Sequence, residues 1–202
     1  MKSRGCLIAG GILGVIAIVV IGIFLWGMGV YNSLVTQNEG VSSAWSQVES
    51  QYQRRADLVP NLVETVKGFA SQEKSVLLGV TEARAKVSQM TVTKEVLDDP
   101  AAFAKFQASQ DQLSSAISRL LVVTENYPNL KSNENFMALQ TQLEGTENRI
   151  TVERQRYNVT VQGYNTAIKR FPGALVASFT GFREKQYFKS KEGAENAPAV
   201  KF

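Results

Sequence analysis

The sequence contains no histidine and only one cysteine among its 202 residues. Without histidine, the chain cannot carry a Ser-His-Asp triad, a histidine general base or a histidine-containing metal site. The single thiol, Cys6, cannot form an internal disulfide or a CxxC redox or metal motif. We therefore expect no enzyme activity, no cofactor and no metal. Cys6 is expected to be incidental; reversible acylation at a membrane edge is the alternative.

Charge is missing over one long stretch, since residues 7–30 contain no Asp, Glu, Lys or Arg. As a helix, these 24 residues extend about 36 Å, enough to cross a hydrocarbon layer of roughly 30 Å. A cleaved signal peptide is the alternative, but its apolar region is shorter, about 7 to 15 residues. The run therefore predicts a retained transmembrane helix.

The charges on either side of this run predict its orientation. Lys2 and Arg4 precede it, whereas no basic residue follows until Arg54. The positive-inside rule then places the N-terminus in the cytoplasm and the large C-terminal part across the membrane. Beyond Lys2 and Arg4, 20 basic residues stand against 18 acidic ones. This balance lacks the basic excess typical of nucleic-acid-binding domains, so no nucleic-acid partner is expected.

Apolar residues recur at helical spacing in four stretches after residue 30. The first stretch contains no proline and is predicted to continue the transmembrane helix. Pro60 predicts a kink or a new helix start near residues 57–60, and Asp98 or Asp99 before Pro100 predicts another start. The four stripes are Leu34, Val41, Trp45, Val48 and Tyr52; Leu58, Leu62, Val66, Phe69, Val76, Val80, Ala83 and Val87; Phe103, Phe106, Leu113, Ile117, Leu120 and Thr124; and Phe136, Leu139, Leu143, Ile150, Tyr157, Val161, Tyr164 and Ile168.

Four long helices with three short connections predict an all-α fold. The predicted architecture is a single N-terminal transmembrane helix that continues into a long-helix antiparallel four-helix bundle, with a short aromatic C-terminal helix or tail. The predicted segments are an N-terminal flank at 1–6, the transmembrane helix at 7–30, the bundle at 31–170, and an aromatic amphipathic tail with an extension at 171–202.

The first helix also offers a surface for self-association. Gly10 and Gly14 form a GxxxG pair, a spacing that lets two helix backbones approach closely in lipid. Asn38 occupies a polar slot in the first stripe, and a buried asparagine of this kind fixes register in coiled coils. A homo-oligomer of unknown order is expected. Its candidate helix–helix contacts are Gly10, Gly14, Leu34, Asn38, Val41 and Trp45.

A Tyr-Asn dipeptide occurs at residues 157–158 and again seven residues later, at 164–165. Tyr157 and Tyr164 fall on the fourth stripe, so their rings are expected in the core with their hydroxyls near polar groups. Asn158 and Asn165 lie one position further, about 100° round the helix. The favoured interpretation is a bundle core with polar edges, and a Tyr/Asn-lined ligand site is the alternative.

The C-terminal stretch carries more aromatic residues than a solvated tail does. These are Phe179, Phe182, Tyr187 and Phe188, and basic residues flank them. A short helix docked on the end of the bundle is the favoured prediction. A membrane-surface helix and a partner-binding segment are the alternatives, and the four aromatic residues are the candidate contacts in each case.

Long strings of the sequence resemble the signatures of the LemA family. They are YNSLV after the apolar run, AWSQVESQYQRRADLVPNLVETVKGFA at residues 44–70, and ENYPNLKSNENFMALQTQLEGTENRITVERQRYNVTVQGYNTAIKRFPG at residues 125–173. The tail string GFREKQYF is similar too, so the resemblance covers nearly the whole chain. It implies a bacterial membrane protein with one transmembrane helix, a long-helix bundle and no established catalytic activity.

The resemblance also implies partners, namely an HtpX-type membrane metalloprotease or a TPM-domain membrane protein. It supplies no catalytic residues. The residues singled out as candidate contacts within the bundle or with a partner are Arg54, Arg55, Asn61, Tyr157, Tyr164 and Asn165.

The expected function is a membrane-anchored helical scaffold or adaptor that contacts membrane lipid, self-associates and recruits membrane partners. An oligomeric pore or membrane-shaping assembly is the alternative. An enzyme that uses carboxylates such as Glu73 and Glu153 is a more distant third. The expected location is the bacterial inner membrane, with a single pass, a cytoplasmic N-terminus and a periplasmic C-terminal domain.

Overall fold

The computed structural model describes the backbone of residues 2–90 and 94–189 and the side chains of residues 11–90 and 96–189. This part of the chain is all-helical and contains no strand, so the predicted all-α class is confirmed. Residues 182–189 follow the last helix without helical structure. The helices are α1 (Lys2–Phe69), α2 (Lys74–Ser88), α3 (Pro100–Thr124), α4 (Pro128–Lys131), α5 (Glu134–Lys169) and α6 (Gly173–Thr180), and a 3₁₀ turn spans Lys94–Leu97.

Helix α1 passes through two environments. Residues 11–26 are exposed on every side although most of them are apolar, and α1 is the one described helix that is long and apolar enough to cross a membrane. Every member of the first predicted stripe, from Leu34 to Tyr52, is buried. We call residues 11–26 the apolar segment. The apolar segment and the buried stripe belong to one continuous helix, as the sequence predicts.

The predicted new helix start near residues 57–60 is wrong, because α1 continues through Pro60 to Phe69. Proline lacks the N–H that would bond the carbonyl four residues earlier, which is that of Ala56. The Arg84 guanidinium donates from Nε to this oxygen at 3.0 Å. A side chain of α2 thus replaces the hydrogen bond that Pro60 cannot make, and the chain first turns at residues 70–73.

Helix α3 begins where the sequence predicts. The Asp99 Oδ1 accepts hydrogen bonds from the backbone N–H groups of Ala101 at 2.8 Å and Ala102 at 3.3 Å. Pro100 takes the first helical position, where a missing N–H costs nothing. A cap of this kind stabilises a helix by about 1 kcal/mol.

The buried apolar residues form two clusters along α1. The proximal core lies nearer the apolar segment. Besides α1, it includes residues of α3, α5 and the chain after α5. The distal core includes, besides α1, residues of α2, the second half of α3, α4 and the start of α5. The proximal core comprises Leu34, Val41, Trp45, Val48, Tyr52, Leu97, Phe103, Phe106, Ile150, Tyr157, Val161, Tyr164, Ile168, Ala177 and Phe188. The distal core comprises Val59, Leu62, Val66, Ala70, Leu77, Val80, Ala83, Leu113, Ile117, Leu120, Leu130, Phe136 and Leu143.

Contacts of α1 with the later part of the chain run in opposite sequence order. The ring centroids of Trp26 and Phe171 are 6.0 Å apart, and those of Trp45 and Tyr157 are 5.5 Å apart. Further from the apolar segment, Arg55 contacts Glu147. This pairing brings the C-terminal end of α5 and the residues after it beside the apolar segment of α1.

Candidate functional site

The chain after α6 lies over the proximal core in an extended form. Helix α6 ends at Gly181, whose φ of 79° lies in the left-handed region that glycine adopts without strain. We call residues 182–189, which follow it, the tail segment. Phe188 is only 6% exposed, so this segment is part of the packed structure and not a solvated extension.

Two asparagines of α5 bind the backbone of the tail segment. The Asn165 side chain donates from Nδ2 to the Lys185 carbonyl at 2.9 Å and accepts at Oδ1 from the Lys185 N–H at 2.9 Å. The Asn158 side chain makes the same pair of bonds to Phe188, at 3.0 and 2.9 Å. A carboxamide presents one donor and one acceptor side by side, so each asparagine pairs with the backbone as a neighbouring strand would.

A glutamine of α3 binds the tail segment from the other side. The Gln107 side chain donates to the Lys189 carbonyl at 2.8 Å and accepts from the Lys189 N–H at 3.2 Å. The Tyr157 hydroxyl also donates to the Gln186 carbonyl at 3.1 Å, and the Gln186 N–H donates to the Leu97 carbonyl at 2.9 Å. We call Gln107, Asn158 and Asn165 the tail site.

The seven-residue spacing of the Tyr-Asn dipeptides matches this geometry. Seven residues of an α-helix advance about 10.5 Å, and three residues of extended chain advance about 10 Å. Asn158 and Asn165 are therefore spaced to meet Phe188 and Lys185. The asparagines bind the backbone of the tail segment, and the tyrosine rings pack in the core.

Phe188 is held in an aromatic cluster. Its ring centroid lies 5.9 Å from that of Trp45, 5.0 Å from that of Phe103 and 5.4 Å from that of Tyr157. The Arg154 guanidinium carbon lies 4.5 Å from the centre of the Phe188 ring, within the range of a cation–π contact. The tail segment is therefore held in two ways. Its backbone groups are hydrogen-bonded by side chains of α3 and α5, and its Phe188 ring packs in the aromatic cluster.

A second polar group lies between the two cores. Arg55 is 1% exposed, and its Nη1 donates to Ser114 Oγ at 2.5 Å and to Glu147 Oε1 at 2.7 Å. Its Nη2 donates to the side-chain oxygen of Gln110 at 2.5 Å and to the Gln110 carbonyl at 3.2 Å. A buried charge is tolerated only when it is paired and hydrogen-bonded. We call Arg55, Gln110, Ser114 and Glu147 the polar layer.

The position of the polar layer is set by the helical repeat. On α1, Arg55 lies between Tyr52 of the proximal core and Val59 of the distal core. Gln110 takes the same place on α3 and Glu147 on α5. Polar residues of three helices, two of them on α3, therefore meet at one level, so a shift of any helix along its axis breaks the set.

Burial changes the ionisation of the core tyrosines. It raises the pKa of Tyr52 to about 12 and that of Tyr164 to about 12, and it also raises the pKa of Tyr157. Among the described residues, the hydroxyls of Tyr52 and Tyr164 have no hydrogen-bond partner, unlike that of Tyr157. These three hydroxyls are therefore neutral near physiological pH.

The candidate association residues lie in different environments. Leu34, Val41 and Trp45 are buried in the proximal core against their own chain, and Asn38 is half-buried. A Cβ added at Gly14 would meet nothing within 4 Å, so that position is open. Gly10 is helical, but its surroundings lie outside the part of the chain whose side chains are described.

The other candidate residues divide between core and surface. Arg55, Tyr157, Tyr164 and Asn165 are buried, whereas Arg54 and Asn61 are exposed on α1. In the C-terminal stretch Phe188 is buried, Phe182 and Tyr187 are half-buried, and Phe179 is exposed.

Sequence reasoning missed several residues of these two sites. Lys185 is buried and its Nζ lies 2.6 Å from Asp98 Oδ1, and neither Gln107 nor Glu147 was a candidate. Their partners are 82 and 92 residues away along the chain, so local spacing carries no signal of them. The repeat at Asn158 and Asn165 was the available signal.

The arrangement can bind an extended peptide backbone and can hold three helices in register. Across the described residues, no three Asp, Glu or Cys side chains gather where they could hold a metal ion. The contacts at the two sites are hydrogen bonds, ion pairs and aromatic packing.

Comparison with known proteins gives a family match over most of the chain. The model of the LemA family matches residues 44–202, which include the polar layer, the tail site and the tail segment. The family match and the apolar segment of α1 together indicate a membrane protein with one candidate spanning helix.

Curated relatives are similar at lower identity. The magnetosome protein MamQ of Magnetospirillum gryphiswaldense is 27% identical over 182 residues, with 82% of this chain and 66% of the relative covered. The magnetosome protein MamQ 2 of Paramagnetospirillum magneticum gives the same values. Protein LemA of Metamycoplasma hominis is 24% identical over 176 residues, with 87% and 76% covered. The chain thus spans just under two thirds of the length of the MamQ relatives.

Proposed function

The chain belongs to the LemA family, and from this premise we propose that it is a membrane-anchored helical scaffold. In this proposal α1 crosses the bacterial inner membrane once, self-associates in the lipid and presents a helical domain on the periplasmic side that recruits other membrane proteins. The observation that carries the proposal is the continuity of α1 from its fully exposed apolar segment into the proximal core.

Continuity of the helix matters because it removes a flexible joint. A chain that only tethered a domain would leave a linker after the membrane segment, and flexible linkers are rich in Gly and Ser. Here the packed stripe begins at Leu34, four residues after the uncharged run ends. The orientation of the domain is then fixed to that of the membrane helix, as a scaffold requires.

We propose an antiparallel four-helix bundle for the domain, built from α1, α2, α3 and α5. The opposite sequence order of the contacts between α1 and α5 supports this arrangement. So does the polar layer, which joins α1, α3 and α5 at one level. Helix α2 packs on α1 through Arg84 and the Ala56 carbonyl.

Self-association is proposed within the apolar segment. Leu34, Val41 and Trp45 are already packed against their own chain, which leaves the exposed residues of the segment for contact with a second copy. Small residues allow the close backbone approach on which helix association in lipid depends, and Gly14 is open on the surface of α1.

Recruitment of partners is proposed at the solvent face of α1. Arg54 and Asn61 are exposed and seven residues apart, which places them on one side of the helix. By family resemblance, the proposed partner is an HtpX-type metalloprotease or a TPM-domain membrane protein.

The mass of the protein in lipid nanodiscs tests self-association. We expect more than one copy per nanodisc for the wild type and one copy for Gly14→Ile, because the added side chain separates the backbones. Gly27→Ile is the matched control: a Cβ added at Gly27 also meets nothing within 4 Å, and Gly27 lies about 140° from Gly14 round a helix of 3.6 residues per turn. A wild type with one copy per nanodisc contradicts self-association.

Photocrosslinking in native membranes tests recruitment. A photoreactive residue at Asn61 is expected to capture another membrane protein, and one at Val122, which is 64% exposed on α3, is the control. Equal yields from the two positions contradict a partner surface on α1.

A membrane-shaping or pore-forming assembly is the second candidate. The exposed Phe171, Leu175 and Phe179 favour it, because apolar side chains beside a membrane helix can enter one leaflet. Reconstitution into large vesicles separates the two functions, since a scaffold leaves vesicle shape and ion leakage unchanged. Tubulated or leaky vesicles favour the second candidate.

A further inference from the structure

The surface at the C-terminal end of α5 carries exposed apolar side chains. Phe171 is 77% exposed, Leu175 51% and Phe179 84%. Leu175 and Phe179 are four residues apart on α6 and therefore share one face of that helix. A group of large exposed apolar residues marks contact with a membrane or another protein, so this face, which we call the α6 face, needs an occupant.

The position of the α6 face is fixed relative to the apolar segment. The Phe171 ring lies 6.0 Å from the Trp26 ring, and Trp26 lies four residues before the end of the uncharged run, about 6 Å along the helix. Tyr31, just after the run, lies 5.8 Å from Phe182. A bilayer crossed by residues 7–30 therefore has its boundary at the level of α6.

Contacts on both sides of α6 hold it in this position. Before it, Gly173 approaches the Ala167 carbonyl so closely that a Cβ would overlap this oxygen, which lets α6 fold back against the end of α5. After it, the tail site binds the backbone of Lys185 and Phe188. The α6 face is therefore presented by a fixed element.

The charges around α6 suit a membrane surface. The helix itself, GALVASFT, contains no charged residue. Arg170 and Arg183 flank it and are exposed, and neither forms an ion pair within the described residues, whereas Lys169 pairs with Glu184. Apolar residues beside cationic ones are typical of helices that lie in the interface of membranes with anionic lipids.

We propose that the α6 face is a second membrane contact of this chain, in addition to α1. Phe171, Leu175 and Phe179 enter the boundary between headgroups and acyl chains of the leaflet from which α1 emerges, and Arg170 and Arg183 bind anionic headgroups there. The occupant is the lipid of the bilayer that α1 crosses, so the inference rests on the proposed membrane anchor. Two contacts with one leaflet fix the tilt of α1 and of the domain.

Spin-label accessibility in nanodiscs of phosphatidylcholine and phosphatidylglycerol tests this proposal. Single cysteines replace Phe179, Val122 and Ile18 in a Cys6→Ser background, and each carries a nitroxide. Phe179 and Val122 are both strongly exposed, so neither label disturbs the core. Oxygen concentrates in the bilayer, whereas a polar nickel chelate stays in water, so the ratio of their collision rates reports lipid contact.

We expect the oxygen-to-nickel ratio at position 179 to exceed that at position 122 several-fold and to stay below that at position 18, which lies near the middle of the span. Equal ratios at 179 and 122, with a high ratio at 18, overturn the α6 contact and leave the anchor intact. A low ratio at 18 overturns the anchor itself. Protection of position 179 from both reagents shows a protein partner on the α6 face and overturns the assignment to lipid.

A separate experiment tests the proposed binding of anionic headgroups by Arg170 and Arg183. Nanodiscs of phosphatidylcholine alone are expected to lower the ratio at position 179 and to leave that at position 18 unchanged. An unchanged ratio at 179 overturns the role of Arg170 and Arg183.

Discussion

The proximal and distal cores are built from different side chains. The proximal core is rich in aromatic residues, with Trp45, Phe106, Tyr157 and Phe188 in mutual contact or linked through shared neighbours. The distal core is almost entirely aliphatic, and Phe136 is its one aromatic member. Both cores therefore contain residues of the long helices α1, α3 and α5, but the proximal core packs many aromatic side chains and the distal core packs mainly aliphatic ones.

The difference lies in what closes each core. In the distal core α2 and α4 supply additional helical stripes, and aliphatic residues pack into the grooves between helices. In the proximal core the tail segment takes that place. An extended chain has no internal hydrogen bonds, so its backbone must find partners elsewhere, and Gln107, Asn158 and Asn165 supply them. The aromatic rings then fill the space beside a segment thinner than a helix.

The largest effect is expected at the polar layer that separates the two cores. Arg55→Ala leaves the buried Gln110 side chain without its partner and opens a cavity where the Arg55 side chain lay, so we expect a loss of about 4 kcal/mol in the free energy of unfolding. The adjacent Arg54 is exposed, so Arg54→Ala is the control and is expected to change stability by less than about 0.5 kcal/mol. Urea unfolding of the two variants measures the difference, and similar losses contradict a structural role specific to Arg55.

Next in size is the loss of the tail segment from the proximal core. Phe188→Ala is expected to cost about 3 kcal/mol, as large-to-small changes of buried aromatic residues do. Phe179→Ala is the matched control in the same stretch, because Phe179 is exposed and its removal leaves no cavity. Thermal melts of both variants measure this, and an unchanged Phe188→Ala protein shows that the tail segment is not needed to close the core.

Alkaline pH is expected to weaken the proximal core first. The pKa of Tyr52 is about 12 in the folded state against 10.0 without burial. Between pH 10 and 12 the unfolded tyrosine therefore loses its proton while the folded one keeps it, and stability falls as pH rises through this window. Tyr52 alone contributes up to about 1.4 kcal/mol per pH unit. Tyr52→Phe should flatten the fall in unfolding free energy, and an unchanged slope contradicts this account.

The smallest effect distinguishes the two tyrosines of the repeat. The Tyr157 hydroxyl donates to the Gln186 carbonyl, whereas the Tyr164 hydroxyl has no partner among the described residues. Tyr157→Phe is therefore expected to cost about 1 kcal/mol. Tyr164→Phe should cost nothing measurable. Equal losses of unfolding free energy for the two variants, measured by urea unfolding, would contradict this difference between the two hydroxyls.

Much of the fold could be predicted from the sequence because it depends on local repeats. Burial of the first stripe and the start of α3 follow from the spacing of apolar residues and from Asp99-Pro100. The second stripe includes Phe69, yet this side chain is 44% exposed. It lies at the end of α1, and the turn at residues 70–73 breaks the register that the stripe assumed.

The rest depends on contacts between residues far apart in sequence. Where α1 continues through Pro60, Arg84 bonds the free Ala56 carbonyl, and no local pattern around Pro60 reveals this partner. The side chains of the tail site bind backbone N–H and C=O groups. Nearly every residue carries these groups, so the sequence does not show which residues are bound. The Tyr-Asn repeat contains Asn165 and Asn158, but the backbone groups that they bind lie 20 and 30 residues further along the chain.

The central claim is that α1 crosses the membrane once and carries the helical domain to the periplasmic side. Cysteines at Asn126, which is exposed at the end of α3, and at Ser3, before the apolar segment, test it in a Cys6→Ser background. In intact spheroplasts, an impermeant maleimide is expected to label position 126 fully and position 3 only after lysis. Labelling of position 3 with protection of 126 reverses the orientation, and labelling of both or neither before lysis contradicts a single crossing.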